Sequence, residues 1–222
     1  MNLVIGAMQE EMQVLLDTIK PSEIIKYDHI KLFQKGTWLF AISQIGQVNA
    51  AIALTTLIND YAIKNIYNIG TVGSLKPEYK IFELLIVEKA LYTYADASEF
   101  GYQKGQIPQE PPFFTSDHQL INQITKDDEN LRKVVLGTSD IFIDQQHHFE
   151  YFQTNFNNLI DIVDMEGTAF FQTAYKFNIP MLSIKVISDY LHNPTASTSQ
   201  FKENLKYASI LIKDFVLQLM QI

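Results

Sequence analysis

Cysteine is absent from this 222-residue sequence. Disulfides, thiolate zinc sites, iron–sulfur clusters and a cysteine nucleophile are therefore excluded. Arginine is nearly absent: of 17 basic residues only Arg132 is one. Arginine is the usual bidentate fork for phosphate, so a phosphorylated substrate would have to rely on lysine or backbone amides. No apolar run is long enough to span a bilayer. The opening residues lack the basic and apolar stretches of a signal peptide, so the expected location is the cytoplasm. The net charge of −8 makes a poor surface for nucleic acid or a membrane of anionic lipid. Low-complexity tracts, Pro/Gly linkers and internal repeats are also missing, which leaves residues 1–222 as one expected domain.

What is present is an ordinary globular composition, 47% hydrophobic and 19% charged, enough for a core without covalent staples. Short apolar runs alternate with amphipathic stretches. Leu3–Ile5 reads as a buried strand, followed by a helix in which Met8, Met12, Leu15 and Ile19 recur at helical spacing. Residues 30–35 and 38–43 read as paired strands, and 47–61 as a well-buried helix, apolar on nearly every side. A strand at 65–69 ends at Gly70, and a long strand or bent pair covers 84–95. Residues 99–115, rich in proline and aromatics, form a loop too long for a plain turn. Helices at 117–127, 145–153, 166–177 and 200–219 then alternate with strands at 133–137, 159–164 and 181–187. In the last helix Phe201, Leu205, Ala208, Ile212, Phe215 and Leu219 mark one core face. This order predicts a single α/β domain, a mixed central β-sheet flanked by helices, with ligands bound beyond the strand ends.

Five strand ends carry polar or small residues: Gly6–Glu11, Gly70–Ser74, Gly137–Ile143, Asp164–Gly167 and Ser188-Asp189. Each also has a plain structural reading. Glu11 complements a helix dipole; Asp164 and Glu166 cap a helix; Ser188-Asp189 caps or forms an Asx-turn. Gly70–Ser74 is a tight turn, and Phe142 is core. Adjacent helical positions such as His147-His148 point about 100° apart, so they do not read as metal ligands. P-loop, HExxH and GxSxG motifs are missing. Taken together, several carboxylates without arginine or a metal motif suit acid–base work on a neutral polar substrate. Cleavage at a sugar carbon is one such reaction.

These residues, in this order, resemble the 5′-methylthioadenosine/S-adenosylhomocysteine nucleosidases of the purine nucleoside phosphorylase-like superfamily. The resemblance is carried by Gly6-Ala7-Met8 with Glu10-Glu11, by Ser43–Ala51, and by Asp96–Pro108. Ser139–Ile143, Met165–Ala169 and Ile187-Ser188-Asp189 complete it. It implies a nucleoside phosphorylase-like fold, a homodimer, a small nucleoside substrate, and no metal or cofactor. It also implies irreversible hydrolysis to adenine and a 5-thio-substituted ribose. By position, Glu11 would activate water and Asp189 would protonate purine N7, with Ser188 orienting it. Glu166 would bind the ribose hydroxyls above Met165, with Thr71 and Gly73 bordering the sugar. Phe142 would stack on the purine and the Ile143 backbone would read its edge. Met8 and Ile45 would line the 5′ end, where Phe100 and Pro108 would enter from the partner subunit.

The sequence departs from the family pattern at Thr71, Val72 and Ser74, whose bulk is expected to tighten the pocket near the sugar. Asp164 stands where glutamate is common, and Lys185 where arginine is usual. If Asp189 is to stay protonated, the Lys185 ammonium must point aside from it. Two other functions stay open at this point: a phosphate-dependent purine nucleoside phosphorylase and a non-catalytic nucleoside sensor.

Overall fold

The computed structural model describes residues 1–126, 131–191 and 194–221, without the side chains of 194–196. The apolar run Leu3-Val4-Ile5 forms a central strand because both its faces are covered. Leu3 and Ile5 pack into one core and Val4 into another, all fully buried. That strand, β1 (Asn2–Gly6), leads into α1 (Gln9–Ile19), β2 (Ser22–Ile24), β3 (Lys31–Lys35) and β4 (Trp38–Ile42). There follow α2 (Gln47–Asp60), β5 (Asn65–Ser74), β6 (Leu84–Tyr92), a 3-10 turn at Ser98–Phe100, β7 (Phe114–Thr115) and α3 (His118–Thr125). The chain ends with β8 (Arg132–Thr138), α4 (Gln146–Phe156), β9 (Ile162–Asp164), α5 (Gly167–Phe177), β10 (Met181–Tyr190) and α6 (Pro194–Leu219).

The expected mixed sheet is present, with its strands in the order β10-β6-β8-β9-β5-β1-β4-β3-β2. β10 also pairs with β5, so β5, β10, β6, β8 and β9 close into a ring from which β1 to β4 extend. Helices α2 and α5 pack on one face, and α1 and α6 on the other.

Several expected boundaries move. β5 does not end at Gly70 but continues, buried, through Ser74. Gly70–Ser74 is therefore strand and not turn: glycine within a strand lets neighbouring groups approach the backbone closely. The expected helix 117–127 reaches residue 127, which lies outside the described residues. β2 and β7 are too short to show a period. Helix α2 is only half buried: Ala50, Ala53, Leu54 and Leu57 face the core, whereas Val48 is 68% and Ile52 48% exposed. In α6 the buried face holds from Ala208 to Leu219. Phe201, nearer its start, lines a cavity instead.

Candidate active site

The topology explains why separate strand ends meet. The first half of β5 lies between β1 and β10, and its last residues pair antiparallel with β9. Because β9 runs against β5, the chain leaving Asp164 turns back toward the middle of β5, where Glu11 arrives from α1. The resulting cavity is about 140 Å³. Met8, Glu11, Ile45, Thr71, Gly73, Phe142, Ile143, Met165, Glu166, Ser188 and Asp189 all line it. Phe100 and Pro108 do not; both are exposed on the long loop. Of the bulkier residues near Gly73, Val72 reaches the cavity but Ser74 does not. The Ser74 hydroxyl is spent locally, donating to the Lys76 carbonyl at 2.9 Å.

Glu11, third residue of α1, uses its two oxygens differently. Oε2 accepts the Met8 N–H at 3.2 Å, one half of a capping box. Oε1 accepts the Thr71 N–H at 2.7 Å and the Thr71 hydroxyl at 2.8 Å. The helix-dipole reading of Glu11 is thus correct and incomplete. Thr71, expected to border the sugar, holds Glu11 with both its donors. Gly70 makes this seat possible, because a Cβ there would stand 3.0 Å from Oε1 and 3.3 Å from the Lys185 Nζ. Burial raises the Glu11 pKa, against the pull of Lys185 and of the hydrogen bonds from Thr71 and Met8.

Lys185 Nζ lies 2.9 Å from Asp164 Oδ2, and both side chains are almost fully buried. Lys185 thus faces Asp164 and not Asp189, as the sequence required. Burial works against its ammonium, but Asp164, Glu11 and Glu166 outweigh it and raise the pKa. Removing either partner of such a pair strands a buried charge, at a cost of about 3–5 kcal/mol. Asp164 also accepts the Thr138 hydroxyl at 2.7 Å and caps α5 through the Gly167 N–H at 3.0 Å. Glu166 does not cap the helix: its Oε1 accepts the Gly46 N–H at 2.8 Å. Burial, with Asp164 nearby, pushes Glu166 up to about 8 against the Gly46 N–H and Lys185. Glu11, Asp164 and Glu166 line the cavity, the Lys185 ammonium packs beside it against Asp164, and burial favours the protonated form of Glu166.

Asp189 is aimed by a bulge. Ile187 pairs with Val72 and Asp189 with Gly73, leaving Ser188 as the extra residue, a device that redirects side chains. The Ser188 hydroxyl donates to Asp189 Oδ1 at 2.7 Å, and that of Ser197 donates to Oδ2 at 2.5 Å. At Gly73 a Cβ would stand 3.1 Å from that Oδ2. Burial raises the Asp189 pKa, with the Ser197 and Ser188 hydroxyls opposing. Over the mouth, Phe142 meets Phe201 edge to face, ring centroids 5.7 Å apart. Sequence reasoning missed Ser197, Phe201 and Asp140, whose Oδ1 accepts the Gln47 N–H at 2.8 Å and ties the Phe142 loop to α2. The arrangement offers two buried carboxylates of raised pKa, one at Thr71 and one at Gly73, fitted to take and to give a proton.

A family model described as the phosphorylase superfamily matches residues 3–221. Curated relatives include a 5′-methylthioadenosine/S-adenosylhomocysteine nucleosidase of Staphylococcus carnosus, 34% identical over 98% of each chain. The enzyme of the same name from Staphylococcus saprophyticus is 36% identical over 95% of this chain and 96% of its own. Among solved structures, a chain from Borrelia burgdorferi B31 assigned to the same activity and bound to adenine superposes with a TM-score of 0.89. It is 30% identical and covers 100% of this chain and 99% of its own.

Proposed function

This chain belongs to the 5′-methylthioadenosine/S-adenosylhomocysteine nucleosidases of the phosphorylase superfamily, and from that membership we propose how its residues divide the reaction. The enzyme hydrolyses the N-glycosidic bond of methylthioadenosine and adenosylhomocysteine, giving adenine and the 5-thio-substituted ribose. Residues 1–222 act as one catalytic domain, and the reaction belongs in the cytoplasm. Glu11 takes a proton from water as the water oxygen bonds to C1′. The C1′–N9 bond breaks with its electron pair going to the purine, and Asp189 delivers a proton to N7. Adenine thus leaves neutral. Ser188 orients Asp189, Glu166 holds the ribose hydroxyls, Met165 lies under the sugar and Phe142 stacks on the base.

The observation that carries this reading is the pair of buried carboxylates, both raised by burial and both seated on β5. A phosphorylase reading loses its expected anchor. Arg132 is not in the cavity but pairs with Glu83 at 2.7 Å and lies over the Tyr79 ring. A sensor would have no use for a proton donor at N7. Adenine release from methylthioadenosine, assayed with and without inorganic phosphate, should proceed equally in both. Phosphate dependence with a sugar 1-phosphate product would establish the phosphorylase, and tight binding without turnover the sensor.

A homodimer completes the proposal. Val48 of α2 and Phe177 at the end of α5 line one groove, and Ile52 and Tyr175 are exposed as well. An apolar face of this kind marks an interaction surface. The long loop presents Phe100, 83% exposed, for insertion into a partner's pocket. Phe100→Ala should raise KM for 5′-substituted nucleosides by about tenfold, in line with losing a buried aromatic anchor, with little change in Tm. Sedimentation that finds a fully active monomer removes the dimer from the account.

A further inference from the structure

One face of α6 changes its chemistry along the helix. From Ala208 through Ile212 and Phe215 to Leu219 it is apolar and buried in the core. Toward the helix start, steps of three and four, which keep residues on one side of a helix, lead from Ala208 back to Asn204, Phe201, Gln200 and Ser197. Phe201 lines the cavity. The other three close on the bulge that carries Asp189. A bulge leaves its extra residue outside the ladder, here Ser188. The Ser188 carbonyl accepts the Asn204 amide N–H at 2.8 Å, and the Tyr190 N–H donates to Gln200 Oε1 at 3.0 Å. These belong to the two peptide groups that flank the Asp189 Cα. Ser197, fully buried, reaches Asp189 Oδ2 itself. Satisfying a buried polar group explains any one of these bonds. Three from one helix face, all meeting within one residue of the same aspartate, fix that aspartate in place.

We propose that Gln200 and Asn204 are positioning residues for the proton donor: by holding both peptide groups that flank Asp189, they set the direction in which its carboxyl points. The inference rests on the acid role proposed above for Asp189 and deepens it. Ser188 and Ser197 each hold one carboxyl oxygen, but a hydroxyl on a rotatable bond can follow a carboxyl that swings. Peptide groups tied to a helix whose other half is packed in the core cannot. Proton transfer needs heavy atoms within about 2.6–3.2 Å, and a misplacement of about 1 Å can cost 10²-fold. Loss of either tie therefore weakens delivery of the proton to the purine. The water side, Glu11 seated on Thr71, stays as it is.

The test is a double-mutant cycle read on two substrates. Asn204→Ala and Gln200→Ala, made separately, should each lower kcat for methylthioadenosine by roughly three- to thirtyfold, with KM within about threefold. A p-nitrophenyl riboside, which needs no proton on its leaving group, should be cleaved within about twofold of the wild-type rate, which also shows that the variants are folded. In an Asp189→Asn background the same two substitutions should slow adenine release no further, because residues that act through one group are not additive. Equal losses on both substrates, losses that multiply with Asp189→Asn, or an unchanged kcat in both variants would overturn the positioning role and leave the acid standing. Equal damage to both substrates by Asp189→Asn alone would overturn the acid, and the positioning role with it.

Discussion

Asp189→Asn should bind nucleoside nearly as well as wild type but release adenine roughly 10²–10⁴-fold more slowly, the span that general acid catalysis contributes. The aspartate has an ordinary pKa of about 3.9, far too low to hold a proton at neutral pH. Burial in the Gly73 seat raises it, and a stacked purine would raise it further by excluding water. Asparagine fits the same seat and keeps the Ser188 contact at its oxygen, but it has no acidic proton to give. In wild type the rate should fall as pH rises through the Asp189 pKa, because the acid form is the active one. That alkaline limb should be missing from the variant. A p-nitrophenyl riboside, whose leaving group departs without protonation, should be affected far less. Equal damage to both substrates would show that Asp189 is not the acid.

Glu11→Gln should cost a comparable 10²–10⁴-fold in kcat with substrate still bound. Glutamine preserves the carbonyl that accepts from Thr71, so β5 and α1 stay joined, but its amide cannot take a proton from water. With Glu11 proposed to work as its anion and its pKa raised by burial, the wild-type rate should rise with pH on the acid side. The variant should lose that limb. Retention of more than half of wild-type turnover would reduce Glu11 to its helix-capping role. Circular dichroism and Tm, measured alongside, separate loss of chemistry from loss of fold.

The alternation of elements was legible because buried strands and amphipathic helices leave strong periods, as in Leu3–Ile5 and in the stretch from Ala208 to Leu219. The carboxylates were legible because they follow the ends of apolar strands. The missed features depend on contacts that have no local period. Continuation of β5 through Gly70 and Gly73 is decided by β10 and β9, which pair along it. The bulge at Ser188 exists only relative to Val72 and Gly73. Ser197 fell in an expected loop because α6 begins at Pro194, earlier than its apolar pattern does. The outer face of α2 looked like core because composition cannot tell a buried apolar residue from an exposed one.

The two carboxylates proposed for proton transfer are referenced to Thr71 and Gly73, neighbours on one side of a single strand. Positions two residues apart on a strand are separated by roughly 6.6 Å, and that interval is built from covalent backbone inside a paired sheet. The proposed span from water to base is therefore graduated by a stiff ruler, while the groups proposed to meet the 5′ substituent ride on other parts of the chain. Ile45 and Phe100 can drift in position or identity without stretching that span. Substrate preference and reaction chemistry become separately adjustable, and a lineage can change what it salvages while leaving the bond-breaking step untouched.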